Sequence, residues 1–131
     1  MDRSDSTEGS VFERGAAMMR RVYGDAIPVP PEGAMAFTDV MVRSLFAEVG
    51  DRDILSIRDR RLLLMGAIAT YGATEVWGLQ ARSALDNGEL TPEELRETLV
   101  ILAPYAGYPL VAPLVGACEE AINAWREASG G

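Results

Sequence analysis

The sequence has few of the side chains that usually carry redox chemistry or bind nucleic acid. Its 131 residues include no histidine and one cysteine, Cys118. One cysteine excludes an internal disulfide and an internal thiol pair, which fits a reducing cytoplasm. Basic residues are also scarce, because 12 of them stand against 20 acidic residues and leave a net charge of −8. An acidic surface repels polyphosphate and anionic headgroups, so nucleic acid and membrane surfaces are excluded as partners.

Residues 99–118 form a stretch without Asp, Glu, Lys or Arg. At about 1.5 Å per residue, such a stretch is long enough to cross a bilayer. However, its three prolines and two glycines interrupt helical hydrogen bonding repeatedly. The sequence therefore predicts a buried corner between two helices here, and no membrane span.

Apolar residues recur at helical spacing in six segments, and no long window alternates as a strand does. The predicted helices cover about residues 11–23, 33–49, 56–71, 75–87, 92–105 and 109–128. Residues 27–31 contain three prolines and predict a stiff connector after the first helix. Residues 1–10 are polar, with no apolar core typical of a signal peptide, and predict a disordered tail. The sequence thus predicts one all-α domain over residues 11–128.

Three helix starts carry capping signals. Ser56 followed by Asp59 can satisfy the free amides of the third helix, and Thr74 can cap the fourth. Thr91 with Glu94, on either side of a proline, forms the clearest capping box of the chain. The third and fourth helices are expected to form a central antiparallel pair, packed by the fifth and sixth.

Residues 62–69 of the third helix are apolar on all sides, which predicts that this stem is buried on every side. Together with residues 99–118, the stem carries more apolar surface than six short helices of one chain can cover. The sequence therefore predicts a homo-oligomer.

Short segments spread over the chain form an ordered set. They are FERG (12–15), RVYG (21–24), LFAEV (45–49), RDRRLL (58–63), GATE (72–75), ALDNG (84–88), LTPEEL (90–95) and YAGYP (105–109). Their order and spacing resemble the carboxymuconolactone decarboxylase family, which also includes the alkyl hydroperoxide reductase partner proteins. The resemblance implies an all-α fold, assembly into trimers or hexamers, a cytoplasmic lyase and a role in the breakdown of aromatic compounds.

The chain departs from the typical pattern of that family at three points. Gln80 stands where the pattern has a histidine, five residues after Glu75, and Gly50 stands where many members have a tryptophan. A neutral amide cannot shuttle a proton at physiological pH, so the role of the histidine does not pass to Gln80. The peroxidase branch needs a Cys-x-x-Cys pair, which is absent. Peroxidase activity by that mechanism is therefore excluded.

Glu75 is the candidate catalytic residue. Decarboxylation leaves a carbanion that an acid must protonate, and Glu75 follows the apolar stem in the position that matches the family glutamate. The alternative is that Glu75 only stabilises the amino end of its own helix, by about 0.3–1 kcal/mol.

Four further residues are candidates for binding the substrate. Arg60 can grip a carboxylate in a bidentate way, or it can simply pair with Asp59 or with a glutamate of a neighbouring chain. Gln80 can orient a ligand carbonyl. Trp77 and Tyr105 can line an aromatic pocket, although aromatic residues at this spacing are also typical of a core. No metal ligand set and no cofactor site is predicted.

These observations leave three hypotheses about function. The first is a lyase acting on a small cyclic or lactone carboxylic acid. The second is a homologue without catalysis, which binds a ligand or serves a structural role after loss of the histidine. The third is a repurposed lyase or cyclase of a specialised pathway.

Overall fold

The computed structural model describes the backbone of residues 3–130 and the side chains of residues 11–130. Over these residues the chain is all-helical and contains no strand, which confirms the predicted fold class. The helices are α1 (Arg3–Tyr23), α2 (Ala36–Met41), a π-helical segment that continues it (Val42–Val49), α3 (Ile57–Tyr71), α4 (Thr74–Asp86), α5 (Pro92–Ala106) and α6 (Tyr108–Ala128). They fall into two compact units, Met1–Leu55 and Ser56–Gly131.

The first unit is built from α1, α2 and the π-helical segment. Helix α1 begins at Arg3, earlier than the predicted start, so part of the predicted tail belongs to this helix, while residues 1–2 lie outside the described residues. Its core consists of the buried residues Phe12, Ala16, Met19, Val42 and Phe46. Residues 28–31 lie outside any helix, in agreement with the predicted connector.

Helix α1 approaches the π-helical segment closely at Gly15. A Cβ atom at this position would lie 2.1 Å from the carbonyl oxygen of Val42, far inside van der Waals contact. Only glycine permits this approach. Because the π-helical turn is wider than an α-helical one, the sequence pattern, which only reports helical spacing, did not predict it.

The second unit packs α4 against α3 and α6, and α5 against α6. Trp77, Leu95, Leu114 and Ile122 are fully buried at its centre. These residues come from α4, α5 and α6, and Met65 of α3, which is also fully buried, completes the same core.

The helix starts of the second unit test the capping predictions. The Ser56 hydroxyl accepts a hydrogen bond from the Asp59 amide at 3.0 Å, and Thr91 and Glu94 form the complete capping box. Both predictions are confirmed. The prediction for Thr74 is wrong, because Thr74 is already the first residue of α4 and the residue before it, Ala73, has no side-chain cap.

The apolar stem in α3 is buried on one face only. Met65, Ile68 and Ala69 are buried, whereas the side chains of Leu63 and Tyr71 are 66% and 81% exposed. The prediction of burial on every side is therefore wrong for the single chain. The apolar residues of α3 form two faces, of which the core of the second unit takes one.

Residues 99–118 form the predicted corner between two helices, because α5 ends at Ala106 and α6 begins at Tyr108. Pro104 and Pro113 lie inside these helices and do not end them. The corner is less buried than predicted, since Tyr105 is 89% exposed. Within residues 3–130, no helix has the length and hydrophobicity needed to span a membrane.

Candidate functional site

The second unit contains a buried polar cluster formed by Arg61, Gln80 and Glu89. Two nitrogens of the Arg61 guanidinium, Nε and Nη2, donate to the two carboxylate oxygens of Glu89 at 2.8 and 3.0 Å. The third nitrogen, Nη1, donates to Oε1 of Gln80 at 2.9 Å. The side chains of Arg61 and Glu89 are only 1% and 9% exposed. The guanidinium is thus held on all three of its nitrogens.

Local structure explains why these three side chains meet. Arg61 precedes Met65 by one helical turn, so it shares the buried face of α3. Gly88 has a φ of 70°, a left-handed conformation that turns the chain back after α4 and brings Glu89 beneath α3. Arg58 adds a hydrogen bond from its Nε to the backbone carbonyl oxygen of Glu89 at 3.0 Å.

Chemically, this cluster is a closed charge pair. A bidentate arginine–carboxylate pair satisfies hydrogen-bonding groups of both partners. Gln80 takes part through its amide oxygen, which accepts the hydrogen bond from the guanidinium. Gln80 as a whole is 2% exposed. The cluster therefore fixes the packing of α3 on α4, and it occupies the oxygen with which Gln80 would otherwise act on a ligand.

Trp77 lies in the core of the second unit with no exposed surface. Its indole Nε1 is buried and has no hydrogen-bond partner among the described residues, and the same holds for the Ser83 hydroxyl. A fully buried ring does not line an open pocket. In this chain Trp77 anchors the first turns of α4 to the core.

Glu75 and Tyr105 are both exposed and lie at the same end of the second unit. Glu75 lies in the first turn of α4, directly after the turn between α3 and α4. A Cβ atom on Gly72 in that turn would lie 3.2 Å from Leu110 Cδ2, so the turn packs on the first turns of α6. Tyr105 precedes this part of α6 at the end of α5. The structure thus places Glu75 and Tyr105 at one end.

Arg60 is half-buried near the start of α3. The part of α3 from Arg60 to Tyr71 is roughly 16 Å long at about 1.5 Å per residue. Because Glu75 follows the far end of that helix, one small acid cannot contact both residues of the same chain. The five predicted site residues therefore do not form one pocket in a single chain.

A groove of about 470 Å³ runs between α5 and α6. It is lined by Arg96, Leu99, Val100, Ala103, Tyr108, Val111, Ala112, Val115 and Glu119, so it contains none of the predicted site residues. Arg96 and Glu119 form a bidentate pair at 2.8 and 2.9 Å. This hydrogen bonding lowers the pKa of Glu119 and raises that of Arg96. The rest of the lining is apolar apart from the Tyr108 hydroxyl.

Cys118 lies next to this charge pair in sequence but is fully buried. Burial disfavours the thiolate and raises the pKa of the thiol to about 11, and the nearby carboxylate of Glu119 acts in the same direction. The thiol is therefore protonated at neutral pH.

Sequence reasoning missed Arg61 and Glu89. The available signal was the spacing of Arg61, Met65, Ile68 and Ala69, which places the arginine on the buried face of α3. That signal is weak because α3 is apolar on both faces, so its pattern does not show which of Arg58, Arg60 and Arg61 points inward.

Comparisons with known proteins place the chain in a family. The model of the carboxymuconolactone decarboxylase family matches residues 36–120, more than half of the chain. No curated protein and no solved structure matches it. With the all-helical fold, this match shows that the chain belongs to the carboxymuconolactone decarboxylase family.

Proposed function

We propose that this protein is a lyase acting on a small cyclic or lactone carboxylic acid, with Glu75 as the acid or base. Membership of the family supports the reaction class. The observation that carries the assignment to Glu75 is its availability: its side chain is exposed and has no hydrogen bond or ion pair with the described residues. An unpaired carboxyl group at the surface is open to a substrate.

At this end of the unit, the residues can divide the chemistry between them. Glu75 transfers the proton to the carbanion that remains after carbon dioxide leaves. The Tyr105 phenol donates a hydrogen bond to the enolate oxygen on which the negative charge develops. Trp77 and Gln80 act from the interior as positioning residues, because their buried side chains hold the first half of α4 in place.

Arg60 supplies the clamp for the substrate carboxylate. Since the length of α3 separates it from Glu75 within one chain, the clamp for a given Glu75 has to come from a second copy. The active protein is accordingly a homo-oligomer, a trimer or hexamer, located in the cytoplasm. Within each copy α3 and α4 form an antiparallel pair, which the contact between Arg61 near the start of α3 and Glu89 just after the end of α4 supports.

The test is turnover of carboxymuconolactone by the wild-type protein, by Glu75→Gln and by Glu93→Gln. Glu93 is a matched control, because it is also an exposed glutamate in the first turn of a helix. Loss of the proton-transfer group should lower kcat by about 10²- to 10⁴-fold in Glu75→Gln. Glu93→Gln should leave kcat unchanged. Equal turnover in all three proteins would remove Glu75 from the mechanism.

Gln80→His, combined with Arg61→Met and Glu89→Leu so that the new ring does not face a guanidinium, tests the competing hypothesis of a homologue without catalysis. If the wild-type protein is inert and this variant is active, the loss of the histidine ended catalysis, and the lyase proposal fails. If the wild-type protein is active, the histidine is not needed.

A further inference from the structure

We infer that the groove between α5 and α6 receives the exposed face of α3 from a second copy of the chain. This face, called the α3 ridge below, consists of Leu63, Leu64, Ala67 and Tyr71. The inference rests on the self-association proposed above, and it does not depend on the lyase activity.

The α3 ridge has the spacing of a helix that docks in a groove. Leu64, Ala67 and Tyr71 stand at positions i, i+3 and i+7, with Leu63 beside them, so they line one side of the helix. All four are exposed, and Tyr71 is the most exposed at 81%. The opposite side of α3 packs in the core through Met65 and Ile68. The ridge is therefore a second apolar face that its own chain leaves uncovered.

The groove has the matching properties. Its floor is formed by the buried residues Leu99, Ala103 and Val111, and exposed Val100 and Val115 stand on its sides. Its volume of about 470 Å³ is within the range of about 300–1,000 Å³ typical of binding sites, so it has room for several side chains. The only charges at the groove, Arg96 and Glu119, neutralise each other.

Charge favours a second copy as the occupant. Two chains that each carry a net charge of −8 repel each other, and a contact between uncharged surfaces adds nothing to that repulsion. The α3 ridge has no charged member, and the groove has only its internal pair. The uncharged residues 99–118 supply most of the groove, which explains why this stretch can stay apolar at the surface of an acidic protein.

The exposed area shows how much of an interface this contact supplies. The ridge of one copy and the groove of the other together expose roughly 600 Å² of side chain, if a fully exposed side chain is taken as about 150–200 Å². A standard interface buries roughly 1,600 Å² over both partners, so one ridge–groove contact supplies roughly a third of that area. In a closed ring each copy uses its ridge on one neighbour and its groove on the other, so both apolar surfaces are covered.

Cross-linking between two single-cysteine positions tests the contact. Leu64→Cys, with a mass tag, is mixed with untagged Val115→Cys, and the mixture is treated with a short bis-maleimide after subunit exchange. The inferred contact predicts a cross-linked product with one chain of each kind. The control places the second cysteine at Asn123, an exposed residue of α6 outside the groove. Asn123→Cys should give no such product with Leu64→Cys. Wild-type protein should give none either, because its only thiol, Cys118, is buried.

The outcomes separate this inference from the proposals on which it builds. If light scattering shows an oligomer but Leu64→Cys cross-links only to itself, the α3 ridges of two copies contact each other. That result overturns the inferred contact and leaves the proposed assembly unaffected. An oligomer without any cross-linked product overturns the inferred contact as well. A monomer overturns both the contact and the proposed assembly, and leaves the groove to a small apolar ligand or another part of the chain. None of these results changes the comparison of Glu75→Gln with Glu93→Gln, which tests the lyase.

Discussion

Replacing Glu89 by glutamine should destabilise the second unit strongly. Glu89 accepts two hydrogen bonds from the Arg61 guanidinium in the buried cluster, where both side chains are at most 9% exposed. Removing one partner of a buried ion pair leaves an uncompensated charge and costs about 3–5 kcal/mol. Glutamine keeps one acceptor oxygen, so we expect a loss of about 3 kcal/mol in the free energy of unfolding.

The matched control is Asp86→Asn. Asp86 pairs with Arg82 at 3.1 Å, but these side chains are 44% and 32% exposed. Solvent screens an exposed pair, which typically contributes about 0–1 kcal/mol. The two substitutions make the same chemical change in the same region and differ mainly in burial.

The assay is urea unfolding followed by tryptophan fluorescence. Both tryptophans, Trp77 and Trp125, belong to the second unit, so the signal reports on that unit alone. With a slope of about 2 kcal/mol per molar urea, Glu89→Gln should lower the midpoint by about 1.5 M and Asp86→Asn by less than about 0.5 M. The double variant Arg61→Met with Glu89→Leu should recover most of the loss, because no unpaired charge remains. If Glu89→Gln shifts the midpoint no more than Asp86→Asn, the pair is not buried as described.

Two further predictions concern the first unit and the buried thiol. Gly15→Ala should destabilise the first unit by about 1–3 kcal/mol in far-ultraviolet circular dichroism melts, because its Cβ would collide with the Val42 carbonyl oxygen 2.1 Å away. The control is Gly116→Ala, at a helix position with open space around it, where helix propensity should raise the stability by up to about 1 kcal/mol. An equal loss of stability in both variants would contradict the close approach at Gly15. Cys118 should resist iodoacetamide at pH 8 until the protein unfolds, because burial raises the pKa of its thiol from 9.0 to about 11. The thiol of the unfolded chain loses its proton near pH 9, below the pKa of the folded protein, so the free energy of unfolding should fall as the pH rises from about 9 to 11. Rapid alkylation of the folded protein would refute the burial of Cys118.

The sequence predicted features that depend on a few neighbouring residues. The Ser56 cap and the capping box of Thr91 and Glu94 are confirmed because each needs only three or four residues in order. The prediction that Thr74 caps α4 was wrong, since a threonine is equally compatible with the cap and with the first helical position. The six helices were found because their apolar spacing is regular.

Features that depend on the direction of a side chain were harder to predict. Helix α3 is apolar on both faces, so its pattern did not show that Arg61 points inward or that Leu63 points outward. Of the proposed site residues, Glu75 and Tyr105 lie at one end of the unit. The sequence could not show that Arg60 lies at the other end of α3, because the distance between them follows from the length and direction of the helix.

The hydrogen bond between Arg61 and Gln80 has a consequence for how this sequence can change over time. A histidine at position 80 would face a guanidinium that donates hydrogen bonds and carries a positive charge, so only the neutral ring with its acceptor nitrogen toward Arg61 could fit. Such a ring would be a poor proton acceptor. Positions 61 and 80 are therefore coupled, and a histidine at position 80 is productive only together with a change at Arg61. Random mutagenesis that selects for histidine-dependent activity should recover the two changes as a pair.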